Sequence, residues 1–146
     1  MNKEIKDDLD KYIADTFMLY VKWHNIHWNV VGLNFKEVHE YTKILYNEIS
    51  KIFDETAKLM KKNDEYPAAS IIEYQHFTSV KGLISKDRSV NEALMLIIGD
   101  LGCLISFAKE IISKANKENK DDVVNMLKKH IKEYKKFILN LKTMSE

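Results

Sequence analysis

With 146 residues, 45% of them hydrophobic and 31% charged, the chain is sized for a single domain, residues 1–146, with a substantial core. A formal net charge of +1 gives no whole-molecule pull toward nucleic acid or a membrane surface, so any such partner needs a local patch. One cysteine, one proline and four glycines exclude a disulfide framework and argue against a turn-rich sheet protein.

The longest apolar run, Ala93 to Ile98, falls far short of the ~20 residues that cross a bilayer, so no membrane is expected. The start, Met1 to Tyr12, has no apolar core of the kind a signal peptide needs, and with Cys103 alone this places the protein in the cytoplasm.

In chain order, Ile5, Leu9, Tyr12, Phe17 and Tyr20, continued by His24, His27 and Val31, recur at helical spacing and predict a first helix to about Gly32. Asn34 followed by Glu37 resembles a capping box and opens a second helix. Its core face is Val38, Thr42, Leu45, Ile49, Ile52, Thr56 and Leu59, and it ends near Lys62. About twenty-six residues follow before the next helix, far more than the two to eight that join antiparallel neighbours, so this connection must cross the bundle. Pro67 sits where a helix can start, and Ile71, Ile72, Tyr74 and Phe77 supply a short amphipathic helix inside the crossover. Ser89 and Glu92 give a second capping box ahead of Leu94, Ile97, Leu101, Leu104, Ala108, Ile111 and Ala115. Asp121 and Asp122 suit the N-terminus of a last helix striped by Val124, Leu127, Ile131, Tyr134, Ile138 and Leu141. Four long helices with one long crossover make an all-α chain of ferritin-like topology.

The densest run of chemistry is His24–Gly32 (HNIHWNVVG), with His39 and Asp54 further on. His39 and Asp54 are roughly 22 Å apart on one helix at ~1.5 Å per residue, so they cannot share a metal within one chain. Two copies of the second helix packed antiparallel about a two-fold axis near Tyr46 and Asn47 would set His39 of one opposite Asp54 of the other.

The HxxHW motif (His24–Trp28), the histidine twelve residues after its second histidine and the aspartate fifteen later resemble the Dps family (DNA protection during starvation), the mini-ferritins of the ferritin-like superfamily. The crossover NDEYPAASIIEYQHF, residues 63–77, is similar to that family's proline-containing linker and short extra helix. The resemblance implies a homo-oligomer, a hollow dodecamer built from two-fold dimers. It also implies ferrous iron oxidised at the dimer interfaces, mineral stored inside, and DNA shielded from peroxide. Carried onto this chain, the family's metal histidines fall on His27 and His39, its aspartate on Asp54, and its two remaining carboxylates on Lys43 and Lys58. Two neutral imidazoles with three carboxylates carry about −3, whereas this set carries about +1, and a lysine ligates only when its pKa falls by roughly three, ~4 kcal/mol. Ferroxidase activity is therefore expected to be weak or absent. Lys43 and Lys58 instead act as built-in cations pairing with Asp54 in a pseudo-site, Lys58 at the i+4 spacing that brings it to Asp54.

Blander readings stand beside these. His24 is a structural histidine or an outer partner of the site, and Trp28 an interface or core aromatic. Glu73 and His76 form one E-x-x-H where di-iron bundles use two. Cys103 with Gly99 and Gly102 marks close helix packing. Glu118, Asp121 and Asp122 lie where the family places acidic three-fold pores, and they equally cap the last helix. Lys128, Lys129, Lys132, Lys135 and Lys136 read as a solvated face; the first ten residues hold two lysines against four acids, so DNA would not bind through a terminal basic arm.

Two functions remain open: an iron-binding and storage cage of oxidative-stress protection, or a non-enzymatic structural or DNA-associated cage in which Lys43 and Lys58 replace the metal. A monomeric helical binding module is a third.

Overall fold

The structure, a computed structural model, describes residues 1–144. It contains four long helices: α1 (Lys3–Asn29), α2 (Phe35–Lys62), α4 (Val90–Lys117) and α5 (Asp121–Lys142), with the short α3 (Ile71–Phe77) in the crossover. The predicted stripes of α2, α4 and α5 are the buried faces, whereas that of α1 holds through Ile5, Leu9 and Tyr12 and then diverges: Tyr20 and Val31 are exposed, and Leu19, Trp23 and Ile26 carry the core face. Leu9, Trp23 and Ile26 of α1 and Leu45 and Ile49 of α2 meet Ile97 and Leu101 of α4 and Leu127 and Leu141 of α5, all excluded from solvent. α1 packs chiefly on α2, and α4 on α5.

The helix starts follow capping chemistry unevenly. Ser89 caps α4 as expected, its hydroxyl accepting from the Glu92 amide at 3.2 Å. Asn34 does not cap α2: its backbone is left-handed (φ 64°) and its side chain makes no cap bond, because a capping oxygen reaches the next turn only from extended backbone. Pro67 does not begin α3 either. The box sits at Ser70 and Glu73, where the Ser70 hydroxyl accepts from the Glu73 amide (3.2 Å) and the Glu73 carboxylate accepts from Ser70 Oγ (2.9 Å) and the Ala69 amide (3.3 Å).

α1 stops at Asn29, short of Gly32, because the β-branched Val30–Val31 turn extended. They form β1, pairing in parallel with β2 (Arg88–Ser89), so the sequence expectation of no sheet misses one two-residue bridge. Gly32 follows at φ +102°, a conformation that glycine tolerates.

The crossover lies along α1. Asp10, almost fully buried, accepts from the Ala68 amide at 2.8 Å and from Lys6 at 2.8 Å. Asp15 accepts from the Ser79 amide (2.9 Å) and the Thr78 hydroxyl (2.7 Å), and Asn25 Nδ2 donates to the Leu83 carbonyl (3.1 Å). Tyr74 of α3 stacks on Phe17 with ring centroids 4.7 Å apart. Arg88, buried at the crossover's end, donates to the Ile84 and Lys86 carbonyls. The stretch Gly99, Gly102 and Cys103 does not mark close packing: both glycine Cβ positions face open space and Cys103 is exposed, on a groove of about 650 Å³ between α1, the crossover and α4.

A polar cluster spans three helices inside the bundle. His130 of α5 is buried between Tyr12 of α1, whose hydroxyl lies 3.0 Å from Nδ1, and Glu55 of α2, whose Oε1 lies 2.9 Å from Nε2. Burial holds the His130 pKa below its ordinary value, against the raising effect of Glu55.

Two outcomes test this architecture. Asp15→Ala should cost about 2–3 kcal/mol in denaturant unfolding, since it strands charge-assisted donors of the crossover. Asp7→Ala, which breaks only the exposed Lys3–Asp7 pair, should cost under about 0.5 kcal/mol. Because His130 binds its proton less readily folded than unfolded, its contribution to stability is complete above the unfolded histidine pKa and is lost as pH falls below about 6.5. The acid-side loss of stability should therefore be smaller in His130→Gln, read as unfolding midpoints against pH.

Candidate metal centre

His27, near the end of α1, and His39, in the first turns of α2, are brought together by the α1–α2 hairpin. Their rings stack with centroids 3.8 Å apart and planes 17° from parallel. Each clamps the other's helix: His27 Nδ1 lies 2.6 Å from the His39 carbonyl, and His39 Nδ1 lies 2.7 Å from the His27 carbonyl. A carbonyl only accepts, so each Nδ1 carries a proton, and in the neutral ring it is Nε2 that presents the lone pair. Thr42, one turn on, lies 3.0 Å from His27 Nδ1 and donates to the same His39 carbonyl at 2.9 Å. Burial lowers the His27 pKa; the His39 carbonyl works against this, and His39, His24 and Lys43 reinforce it. Neutral His27 with a free Nε2 is the form that ligates a metal.

The carboxylate side of the site is different. Asp54 lies on the exposed face of α2, at helical spacing with Lys43, Asn47, Lys51 and Lys58, which are exposed too. Lys58 Nζ sits 2.7 Å from Asp54 Oδ2, and this hydrogen bond raises the Lys58 pKa, so the ammonium is retained and cannot ligate. Lys43, one turn beyond His39, adds a second cation to the same face. Among the described residues, no group of three or more His, Cys, Asp or Glu side chains could hold a metal. His27 and His39 are brought together; Asp54 is not brought to them within one chain. Within one chain, two imidazoles, one carboxylate already paired with Lys58 and two lysines fall short of the three or more donor side chains a metal site gathers, and the lysine charges repel a divalent cation.

Around this site the surface is apolar. Trp28 is 71% exposed, so it is not a core aromatic, and Tyr20, Val21, Val31, Phe35 and Ile44 are also exposed. His24 fixes its Nδ1 on the Tyr20 carbonyl (2.7 Å) and stacks on Tyr46 at 3.7 Å, with Trp28 at 5.4 Å, which makes it an aromatic neighbour of His27.

Other singled-out residues have local partners. Asp122 accepts from Asn63 Nδ2 (2.9 Å) and from the Val123 amide (2.9 Å), and the Asn63 bond leads in lowering its pKa, so it ties the start of α5 to the end of α2. Glu118 ends α4 and Asp121 opens α5, both exposed. Glu73 is spent on capping α3, and His76 is exposed beside Phe77, so their E-x-x-H spacing forms no site. Glu55 is not available to replace a missing ligand. It accepts from Lys129 (2.8 Å) and His130 (2.9 Å), bonds that outweigh burial and lower its pKa. The Glu55–His130–Tyr12–Tyr134 cluster had no motif to announce it, because its members come from three helices.

The ferritin-like domain family matches residues 6–146. The DNA protection during starvation protein of Helicobacter pylori is 30% identical over 105 residues, covering 72% of this chain and 73% of that protein. Antigen TpF1 of Treponema pallidum is 30% identical over 96 residues, 66% of this chain, and the matched stretch spans about half (54%) of that protein's length. In structure, a Dps protein from Bacillus brevis superposes with a TM-score of 0.91 at 27% identity, covering 100% of both chains. A stacked histidine pair at the α1–α2 hairpin, a crossover bound along α1 and these similarities lead to one assignment: the chain belongs to the ferritin-like proteins and, within them, to the Dps family.

Proposed function

We propose that this protein is a Dps-type homo-oligomeric cage for iron binding and storage in oxidative-stress protection, with its inter-subunit ferroxidase site disabled by lysine. The observation that carries this reading is the Asp54–Lys58 pair at 2.7 Å, placed where the family resemblance puts an aspartate and a glutamate. In water such a pair is weak. It strengthens once a second copy, seated on the exposed aromatic and aliphatic residues around Trp28, excludes solvent from it. An antiparallel pairing of two α2 helices brings Asp54 of a second copy toward His39 and Lys43, so each carboxylate meets ammonium groups where iron would bind.

Iron is here substrate and cargo. His27 and His39 remain as neutral donors that hold it weakly, and Glu118 and Asp121 are the acidic groups available to line an entry pore. The same lysines support a second reading, a non-enzymatic structural or DNA-associated cage. On that reading DNA would meet the exposed lysines of α5, Lys128, Lys132, Lys135 and Lys136, and not a terminal arm. No described helix is long and apolar enough to cross a membrane.

Ferrous oxidation by the purified assembly tests the disabled site, and iron retention separates the two readings. Wild-type protein should oxidise iron little faster than buffer, while Lys43→Asp with Lys58→Glu should raise the initial rate at least roughly tenfold, the order of one lost or gained charged ligand contact. A wild-type rate equal to that of the double variant would overturn the proposal. Iron retained by the wild-type particle through gel filtration favours the storage cage, and none retained favours the non-enzymatic one.

A further inference from the structure

The polar cluster inside the bundle is separate from the histidine pair, and its protons run one way. Glu55 Oε2 takes a hydrogen bond from Lys129 and its Oε1 takes one from His130 Nε2–H, because a carboxylate only accepts. His130 Nδ1 then carries the lone pair and accepts the Tyr12 hydroxyl at 3.0 Å. With its own proton committed to His130, Tyr12 accepts from the Tyr134 hydroxyl. Tyr134, Tyr12, His130 and Glu55 thus form a directed chain from the dry centre of the bundle to a half-exposed carboxylate, the first three almost wholly excluded from water. Every donor has an acceptor, so the chain is complete without solvent.

Both phenols are held protonated: burial pushes their pKa values up, in Tyr12 with Tyr134 adding to it. By acid–base chemistry alone the cluster is inert in the physiological range. Oxidation changes that, since a phenol that loses an electron becomes a very strong acid and needs a base already in place. Tyr12 has one. Among the described residues, Tyr12 is the one tyrosine whose hydroxyl is hydrogen-bonded to an imidazole; the Tyr41 hydroxyl accepts from the Asn140 amide.

We propose that Tyr12 is a redox-active tyrosine, with His130 its proton acceptor, that takes up the oxidising equivalent of a strong one-electron oxidant of the hydroxyl-radical class. In the step, one electron leaves Tyr12 for the oxidant, reducing hydroxyl radical to hydroxide. The Tyr12 O–H bond breaks and an N–H bond forms at His130 Nδ1. The products are a neutral phenoxyl radical and an imidazolium. The imidazolium donates from Nε2 to the Glu55 carboxylate and from Nδ1 back to the phenoxyl oxygen, which also accepts from Tyr134. The positive charge forms beside a carboxylate, and the radical forms where solvent and other molecules do not reach it. Glu55 and Tyr134 are positioning residues. This role does not depend on whether the lysine-bearing site handles iron.

The test uses the purified full chain with photogenerated tris(bipyridine)ruthenium(III) as oxidant, followed by freeze-trapped electron paramagnetic resonance. Wild-type protein should give a long-lived tyrosyl signal whose electron–nuclear double resonance shows two hydrogen-bonding protons at the phenoxyl oxygen. Tyr12→Phe should remove that signal. His130→Gln keeps a polar partner for Glu55 but no base, and should slow radical formation by roughly two orders of magnitude, the contribution of a positioned base. An undiminished signal in Tyr12→Phe, or an unchanged rate in His130→Gln, overturns the proposal. Should either variant fail to fold, the wild-type spectrum decides: a phenoxyl oxygen without the two hydrogen bonds refutes it.

Discussion

Asp15 accepts hydrogen bonds from the Ser79 amide and the Thr78 hydroxyl, and Asp10 from the Ala68 amide, all across more than fifty residues of chain. On these two buried carboxylates depends the path of the crossover, and with it the connectivity of the bundle. A connection of that length has a large entropy to lose, which the packing of Ala68, Tyr74, Phe77, Val80 and Leu83 on the core offsets only in part. Fixing it at points spread along α1 makes α1 the spine of the molecule, in contact with α2, α3 and α4. The far end of that spine carries His24, His27 and Trp28, so the crossover anchors also hold the candidate site in place.

At that site, stability and metal chemistry pull apart. The reciprocal bonds between the His27 and His39 rings and each other's carbonyls lock the hairpin and leave both Nε2 atoms as metal donors. The scaffold for two imidazole ligands is thus intact. What has changed is charge. Lys58 occupies the i+4 position from Asp54 and holds it at 2.7 Å, and Lys43 follows one turn after His39. On the proposed reading, a divalent cation approaching this face meets the ammonium groups of Lys43 and Lys58, and burial between copies would enlarge that repulsion because water no longer screens it.

The four helices, and the core faces of α2, α4 and α5, were legible because each is a long stripe at a 3.6-residue period, the strongest pattern a chain offers, while in α1 the aromatic and histidine run beyond Tyr12 drew the stripe off the buried Leu19, Trp23 and Ile26. The Ser89 cap was legible for the same local reason. Asn34 and Pro67 misled because a capping residue type says nothing about its own φ, and Asn34 is left-handed. Val30–Val31 left the helix for a partner, Arg88–Ser89, that lies far away in the sequence. Nothing in the sequence marks Asp10 and Asp15 out from the other acids of α1; only the folded crossover reveals that they are buried anchors. At the site, residue types and spacing pointed to His27, His39 and Asp54, and the family resemblance to Lys43 and Lys58; of these the fold brings together His27 with His39 and Asp54 with Lys58. The tautomers of the two histidines and the isolation of Glu55 by His130 arise from tertiary contacts that no spacing encodes.

The central claim is that lysine ammonium groups stand where the family's iron would be. It is tested most directly by anomalous X-ray scattering at the iron edge from crystals of the assembled protein soaked in ferrous salt. The account predicts no full-occupancy iron between His27 and Asp54 of neighbouring copies, with the Lys58 ammonium still on Asp54. A full-occupancy anomalous peak ligated by His27 and Asp54, with both lysines displaced, would contradict it.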